Sequence, residues 1–184
     1  MSIEQGALAI GLSPTFALLA MLLWSIAFPE KRLWPPKKTT MLNQLVVWGL
    51  TTAVFVSAFA LGVIDWNSLE WPSALRWGLG FPLIIAGNLV VWKAVFNIGM
   101  RATSGEADEL KTDGFYRYSR NPQYIADIGI LTGWAVLCAS IAVIPVVAVG
   151  IIVLLVAPLA EEPWLKNVYG KPYEDYRRKV RRYL

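Results

Sequence analysis

"YIADIGILTGWAVLCASIAVIPVVAVGIIVLLVAPLA", Tyr124 to Ala160, is an apolar run whose single charged residue is Asp127. A helix crosses bilayer hydrocarbon in roughly 20 residues, so two crossings and a turn need roughly 40. The run is marginal for that length. It reads as a tight helical hairpin that turns near Ser140 to Pro145 and need not reach the far surface. Upstream, Ala7 to Phe28, Leu42 to Ile64 and Trp77 to Phe96 are each long and apolar enough for one crossing. With 56% hydrophobic and 16% charged residues and a mean hydropathy of +0.49, the chain reads as an all-α integral membrane protein. About five transmembrane helices are expected, the last two forming the hairpin.

Charge sets the expected orientation. Lys31, Arg32, Lys37 and Lys38 follow the first span, Arg101, Lys111, Arg117 and Arg120 follow the third, and seven more basic residues follow Ala160. Basic connections favour the cytoplasmic side. The segment between spans two and three holds Asp65, Glu70 and only Arg76, which suits the outer side and puts the N-terminus outside too. The setting this implies is a prokaryotic plasma membrane, with the C-terminus cytoplasmic. Met1 to Gly6 carries Glu4 and no Lys or Arg, and the run after it exceeds a signal-peptide core, so the first span is expected to stay in the mature chain. Trp34, Trp66, Trp71, Trp77 and Trp164 fall at predicted boundaries and read as interfacial anchors; Trp24, Trp48, Trp92 and Trp134 lie deeper and read as packing or lipid contacts.

The net charge of +4 is accounted for by this topology and by anionic lipid headgroups, and nucleic-acid binding is not indicated. Histidine is absent and Cys138 is alone in an apolar stretch, so neither a disulfide framework nor a metal site is expected. Among polar stretches, Gly105 and Gly114 punctuate turns and Glu106 to Leu110 suggests a helical turn. In the tail, Pro163 suits the start of a short helix, Gly170 its stop, and Pro172 the start of another helix, which carries Tyr173 and Tyr176. That last helix is amphipathic enough to lie along headgroups.

The chemistry-bearing stretch is "GFYRYSRNPQY", Gly114 to Tyr124. Asn121 suits a helix N-cap and Pro122 the first helical position, so the fourth span starts here. A helix N-terminus with Arg117 and Arg120 just ahead of it attracts an anion, either a lipid phosphate or the carboxylate of a cofactor. Tyr116, Tyr118 and Tyr124 offer faces for a nucleobase or a cation. Glu161 and Glu162 stand where the fifth span is expected to end, against the helix dipole, which calls for an ion pair with Arg117 or Arg120, a cationic ligand, or both. Lys93 and Asp127 are charges within spans and are functional candidates on that ground.

These residues resemble the C-terminal half of the isoprenylcysteine carboxyl methyltransferase and phospholipid methyltransferase superfamily. The resemblance runs from "NIG" at Asn97 through "LKTDGFYRYSRNPQYIADI" to "EEPWLKNVYGKPYEDYRRKVRRY" ending at Tyr183. The family's Arg-His-Pro-x-Tyr-x-Gly signature corresponds to Arg120, Asn121, Pro122, Tyr124 and Ala126, so its His is Asn here and its Gly is Ala, a methyl beside the expected cofactor. The acidic pair corresponds to Glu161 and Glu162. The resemblance implies S-adenosylmethionine as methyl donor, bound at Gly114, Tyr116, Arg117, Arg120, Asn121, Pro122, Tyr124, Glu161 and Glu162. Arg120, Glu161 and Glu162 take the catalytic role, and no metal is required. It implies a lipophilic methyl acceptor from the bilayer: a prenylcysteine carboxylate, a phospholipid amine or a thiol. The chain then reads as one membrane domain over 1–184, with three spans over 1–96 and a cofactor-binding region over 97–184 that contains the hairpin and a cytoplasmic helical tail.

Two other classes stay open on the residues alone. Membrane sterol reductases carry a related signature and bind NADPH. A non-enzymatic module could use the same arginines to hold anionic lipid.

Overall fold

The computed structural model describes residues 3–38, 40–103 and 109–184, and all regular structure among them is helical. Five long helices dominate: α1 (Ile3–Ala27), α2 (Met41–Ile64), α4 (Phe81–Thr103), α5 (Pro122–Cys138) and α6 (Val143–Tyr169). α4 is entered through the short helix α3 (Ser73–Leu75) and a π-helical turn at Arg76–Gly80, and α7 (Lys171–Lys179) follows α6. Four segments are long and apolar enough to cross a bilayer: Leu8–Ala27, Met41–Ile64, Ser73–Phe96 and Val143–Tyr169. α5, at 17 residues, is about 25 Å long at the helical rise. The three N-terminal spans expected from sequence fall on α1, α2 and α4.

The core joins α1, α2, α5 and α6 through Leu18, Leu22, Val54, Ala58, Leu61, Leu131, Val143, Val146, Val153 and Ala157. Ile10, Phe16, Leu45, Phe59, Leu89 and Ile152 point outward, as expected for side chains in lipid rather than water. Association between helices in lipid relies on close packing of small residues. α4 and α5 follow that rule: a Cβ on Gly80 would lie 2.7 Å from the Gly133 carbonyl oxygen, and one on Gly87 would lie 2.7 Å from that of Ala126. Trp134 adds a hydrogen bond from Nε1 to the Ala58 carbonyl at 2.8 Å and stacks on Phe59, so this deep tryptophan is a packing residue.

At one end the α2–α3 connection is tied to the four residues between α5 and α6. Asp65, the C-cap of α2, accepts hydrogen bonds at Oδ2 from Ser140 Oγ (2.6 Å), Ser68 Oγ (2.8 Å) and the Ala142 amide (3.1 Å). The Asn67 and Leu69 amides donate to the carbonyls of Cys138 and Ala139. Buried Arg76 donates from Nε to the Leu137 carbonyl at 2.9 Å and stands over the Trp66 ring. The chain turns at residues 139–142, which overlaps the stretch from Ser140 to Pro145 expected to turn and starts one residue before it, while Val143 to Pro145 already belong to α6.

Two sequence expectations need correction. α6 does not end near Ala160 with a new helix starting at Pro163: it continues through Pro158 and Pro163 to Tyr169. Each proline removes one backbone donor, but the helix is held along its length by α1 and α5. Glu161 and Glu162 therefore lie about two turns before the helix end, and the expected conflict with the dipole disappears. On α7, which starts at Lys171 beside Pro172 as expected, Tyr173 and Tyr176 are buried. Gly170, at φ 58°, makes the corner between α6 and α7 in a conformation glycine adopts without penalty. The turn expected at Glu106 to Leu110, and Gly105, lie outside the described residues or reach into that gap.

Candidate functional site

At the other end of the bundle, the start of α5, the last turns of α6, α7 and the connection following α1 line an open cleft of about 150 Å³. Its wall includes Trp34, Glu109, Lys111, Tyr116, Arg120, Asn121, Gln123, Tyr124, Glu161, Glu162, Trp164, Tyr169, Tyr173 and Tyr176. Six of the residues singled out from sequence are thus brought together: Tyr116, Arg120, Asn121, Tyr124, Glu161 and Glu162. Three do not line it. Gly114 opens the 3-10 turn Gly114–Arg117, Arg117 is exposed and stands over Tyr118, and Pro122 is buried in the first turn of α5.

The acidic pair is divided between two kinds of partner. Glu162, 9% exposed, receives Arg182 in a two-point grip, Nε to Oε1 at 2.7 Å and Nη2 to Oε2 at 3.0 Å, and Arg120 Nη1 at 3.1 Å. Planar guanidinium and planar carboxylate match in that arrangement. Glu161 instead accepts at Oε1 from Trp34 Nε1 at 2.7 Å and from the Tyr124 hydroxyl. Trp34 and Trp164 are therefore more than interfacial anchors, since both line the cleft and the indole N–H of Trp34 reaches an acidic residue. Arg120 Nη1 also donates to Tyr173 Oη at 3.3 Å, while its Nε is buried without a hydrogen-bond partner among the described residues.

The polypeptide around Arg120 is laced to the tail. The Arg120 amide donates to the Arg181 carbonyl at 2.9 Å, and both Ser119 Oγ and Asn121 Nδ2 donate to the Arg182 carbonyl. Asn121 does occupy the N-cap position, but its side chain makes this tail contact and does not cap α5; its own amide donates to Ser119 Oγ at 3.0 Å. Tyr176 Oη donates to the Tyr116 carbonyl at 2.7 Å. Burial raises the phenols of Tyr116, Tyr173 and Tyr176 above the usual tyrosine range, so they stay protonated and serve as donors and ring faces. Ala126 lies against α4 rather than in the cleft wall, so the methyl expected beside a cofactor is a packing group.

Next to the cleft lies a second cavity of about 370 Å³, walled by α1, α2, α4, α5 and α6. Trp34, Gln123 and Tyr124 line both. Asp127, one turn further along α5, is the single charged residue among the described residues of this apolar wall, which Trp48, Thr51 and Thr52 of α2 also line. Lys93, the other charge within a span, belongs elsewhere: it lines an outer groove with Asn88 and Trp92, and its ammonium stands 5.4 Å from the centre of the Phe115 ring. No group of three or more acidic, His or Cys side chains suited to a metal occurs among the described residues.

Arg182, Trp34 and the α7 tyrosines are the parts that sequence reasoning missed. A Tyr-rich tail beside paired arginines was the available signal, but its partners lie 20 residues (Glu162 to Arg182) and 127 residues (Trp34 to Glu161) away in the chain.

Residues 75–172 match the model of the phospholipid methyltransferase family, a stretch that includes Arg120, Asn121, Tyr124, Glu161 and Glu162. The chain is 26% identical over 141 residues to the nickel-cobalt-cadmium resistance protein NccN of Alcaligenes xylosoxydans xylosoxydans, covering 75% of this chain and 62% of that one. It is 36% identical over 72 residues to methanethiol S-methyltransferase of Crocosphaera subtropica, covering 39% of this chain and 28% of the relative. The chain spans less than two thirds of the length of either relative. No solved structure matches it.

Proposed function

Since the chain belongs to the phospholipid methyltransferase family, we propose that it transfers a methyl group from S-adenosylmethionine to an apolar acceptor drawn from the bilayer. The observation that carries this reading is the junction of two unlike cavities, one charged and aromatic, the other apolar, at Trp34, Gln123 and Tyr124. S-adenosylmethionine, when bound, supplies a methyl group on a sulfonium, together with a carboxylate, an ammonium and an adenine. The donor set of the cleft fits that ligand: Arg120, with Nε unspent, and Lys111 suit the carboxylate, Glu162 and Glu109 the ammonium, and Tyr116 and Trp164 the adenine. In-line displacement asks the protein chiefly for alignment and exclusion of water. The Trp34–Glu161–Tyr124 hydrogen bonds contribute by fixing the wall between donor and acceptor cavities.

The basic segments all gather at the cleft end, which supports five crossings with the hairpin complete, the cleft and tail on the cytoplasmic side and the N-terminus outside. On this reading 1–96 supplies three spans and 97–184 the cofactor region of one domain, in a prokaryotic plasma membrane. Prenylcysteine carboxylates, phospholipid amines and thiols are the acceptor classes, the last favoured by the methanethiol relative.

The test is calorimetry on the purified protein with S-adenosylhomocysteine and with NADPH, followed by incubation with radiolabelled S-adenosylmethionine and total membrane extract. Micromolar binding of the homocysteine compound, about −8 kcal/mol, and a labelled lipophilic product are expected. Binding of NADPH alone would favour a reductase, and binding of neither, in detergent and in nanodiscs, would favour a lipid-holding module.

A further inference from the structure

Glu162 has both carboxylate oxygens engaged by guanidiniums, and Glu161 accepts two donors at Oε1; neither lines the apolar cavity. Asp127 does line it, one turn from Tyr124, and among the described residues it accepts no hydrogen bond and faces no cation. An ionisable side chain in an apolar wall within a membrane protein is a functional candidate, and a ligand in this cavity can supply its partner. We propose that the acceptor is a thiol on an apolar body, and that Asp127 takes its proton. This rests on the methyl-transfer reading above and moves the base from the glutamate pair to Asp127.

Charge accounting in a low-dielectric cavity separates the acceptor classes. A carboxylate acceptor would bring a second anion beside Asp127, with no basic residue among the described residues of that wall to offset it. An amine that arrives as ammonium would leave a positive charge behind after transfer. With a thiol the charges cancel. The S–H bond breaks and its proton goes to a carboxylate oxygen of Asp127. The electron pair left on sulfur forms the new S–C bond while the sulfonium's S–C bond breaks, that pair staying on the departing thioether. One cation, one anion and a neutral thiol before transfer become three neutral groups after it, and the proton returns to solvent between turnovers. Thr51 and Thr52, which line the same cavity from α2, are the side chains placed to flank the sulfur.

The experiment uses the full chain in phosphatidylcholine nanodiscs, with dodecanethiol and dodecanoate as probes, and compares wild type with Asp127→Asn and Asp127→Glu. Binding is read as a rise in melting temperature, and transfer from radiolabelled S-adenosylmethionine. In wild type, dodecanethiol raises the melting temperature and dodecanoate does not. Asp127→Asn binds dodecanoate at least tenfold more tightly than wild type does, loses about 100-fold in thiol methylation, the low end for removal of a general base, and keeps its S-adenosylhomocysteine affinity within about twofold. Asp127→Glu retains part of the activity. Equal binding of the two probes by wild type, or thiol methylation by Asp127→Asn within threefold of wild type, overturns the proposal. If wild type binds no S-adenosylhomocysteine, the methyl-transfer reading fails separately, and the thiol-against-carboxylate preference, with its loss in Asp127→Asn, still decides the role of Asp127.

Discussion

Asp65 and Glu162 stand at opposite ends of the bundle, each a carboxylate at the meeting point of three chain segments, yet one end is closed and the other holds a cleft. Asp65 draws in two hydroxyls and a backbone amide, short neutral donors that pull the α2–α3 and α5–α6 connections together. Glu162 draws in two long guanidiniums from residues 120 and 182, which hold the walls of the cleft apart while tying them to one point. Neutral donors at short reach make a seal. Charged donors at long reach make a frame around a space, and they leave spare hydrogen-bonding capacity, such as Arg120 Nε, inside it.

The hardest test of that contrast is Glu162→Ala. It leaves two guanidiniums facing each other in a largely buried site, and breaking such a network costs about 3–5 kcal/mol. The melting temperature is expected to fall by many degrees and S-adenosylhomocysteine binding to be lost. A variant that melts like wild type would show the frame to be dispensable. Next in size is Gly80→Ala at the α4–α5 crossing near the sealed end. Its Cβ would meet the Gly133 carbonyl oxygen and the Leu137 amide nitrogen at 2.7 Å, so backbone must shift, at a cost of about 1–3 kcal/mol. Stability should drop while ligand affinity stays within about twofold; equal losses of both would mean the two ends are not independent.

The smallest effect belongs to Asp65→Asn, about 1 kcal/mol at neutral pH. Its signature is pH dependence. The hydrogen bond from Ser140, with those from Ala142 and Ser68, holds the Asp65 carboxyl below its ordinary value of 3.8 against the opposing effect of burial. A group depressed in the folded state stabilises above its unfolded value and loses that contribution as pH falls through the folded one. The gap in melting temperature between wild type and Asp65→Asn should therefore be constant from neutral pH down to about 4 and close below it. A gap that widens on acidification would put the sign wrong.

The helices were legible in the sequence because crossing a bilayer is a constraint on length and composition, which one strand of text carries. The α5–α6 corner was found to within a few residues for the same reason. Pro163 misled because a local rule for helix starts was applied where packing on α1 and α5 outweighs one missing donor. Arg120, Asn121, Tyr124 and the glutamates were found as a group through the resemblance, but their geometry was not. Apolar periodicity does not say that Asn121 turns to the Arg182 carbonyl, or that Trp34 reaches Glu161, because each contact depends on where a distant segment returns. Asp127 was visible as an anomaly; the cavity it lines was not.

The clamp on Glu162 also has an order in time. Arg120 precedes it in the chain and Arg182 follows 20 residues later, so synthesis at about 5–20 residues per second delivers the second guanidinium roughly one to four seconds after the carboxylate. Before that second guanidinium arrives all five long helices have been made, α6 being complete at Tyr169. The frame of the cleft is thus completed after the bundle that carries it, and the nascent chain passes through a stage in which the bundle is made and its frame still lacks one side.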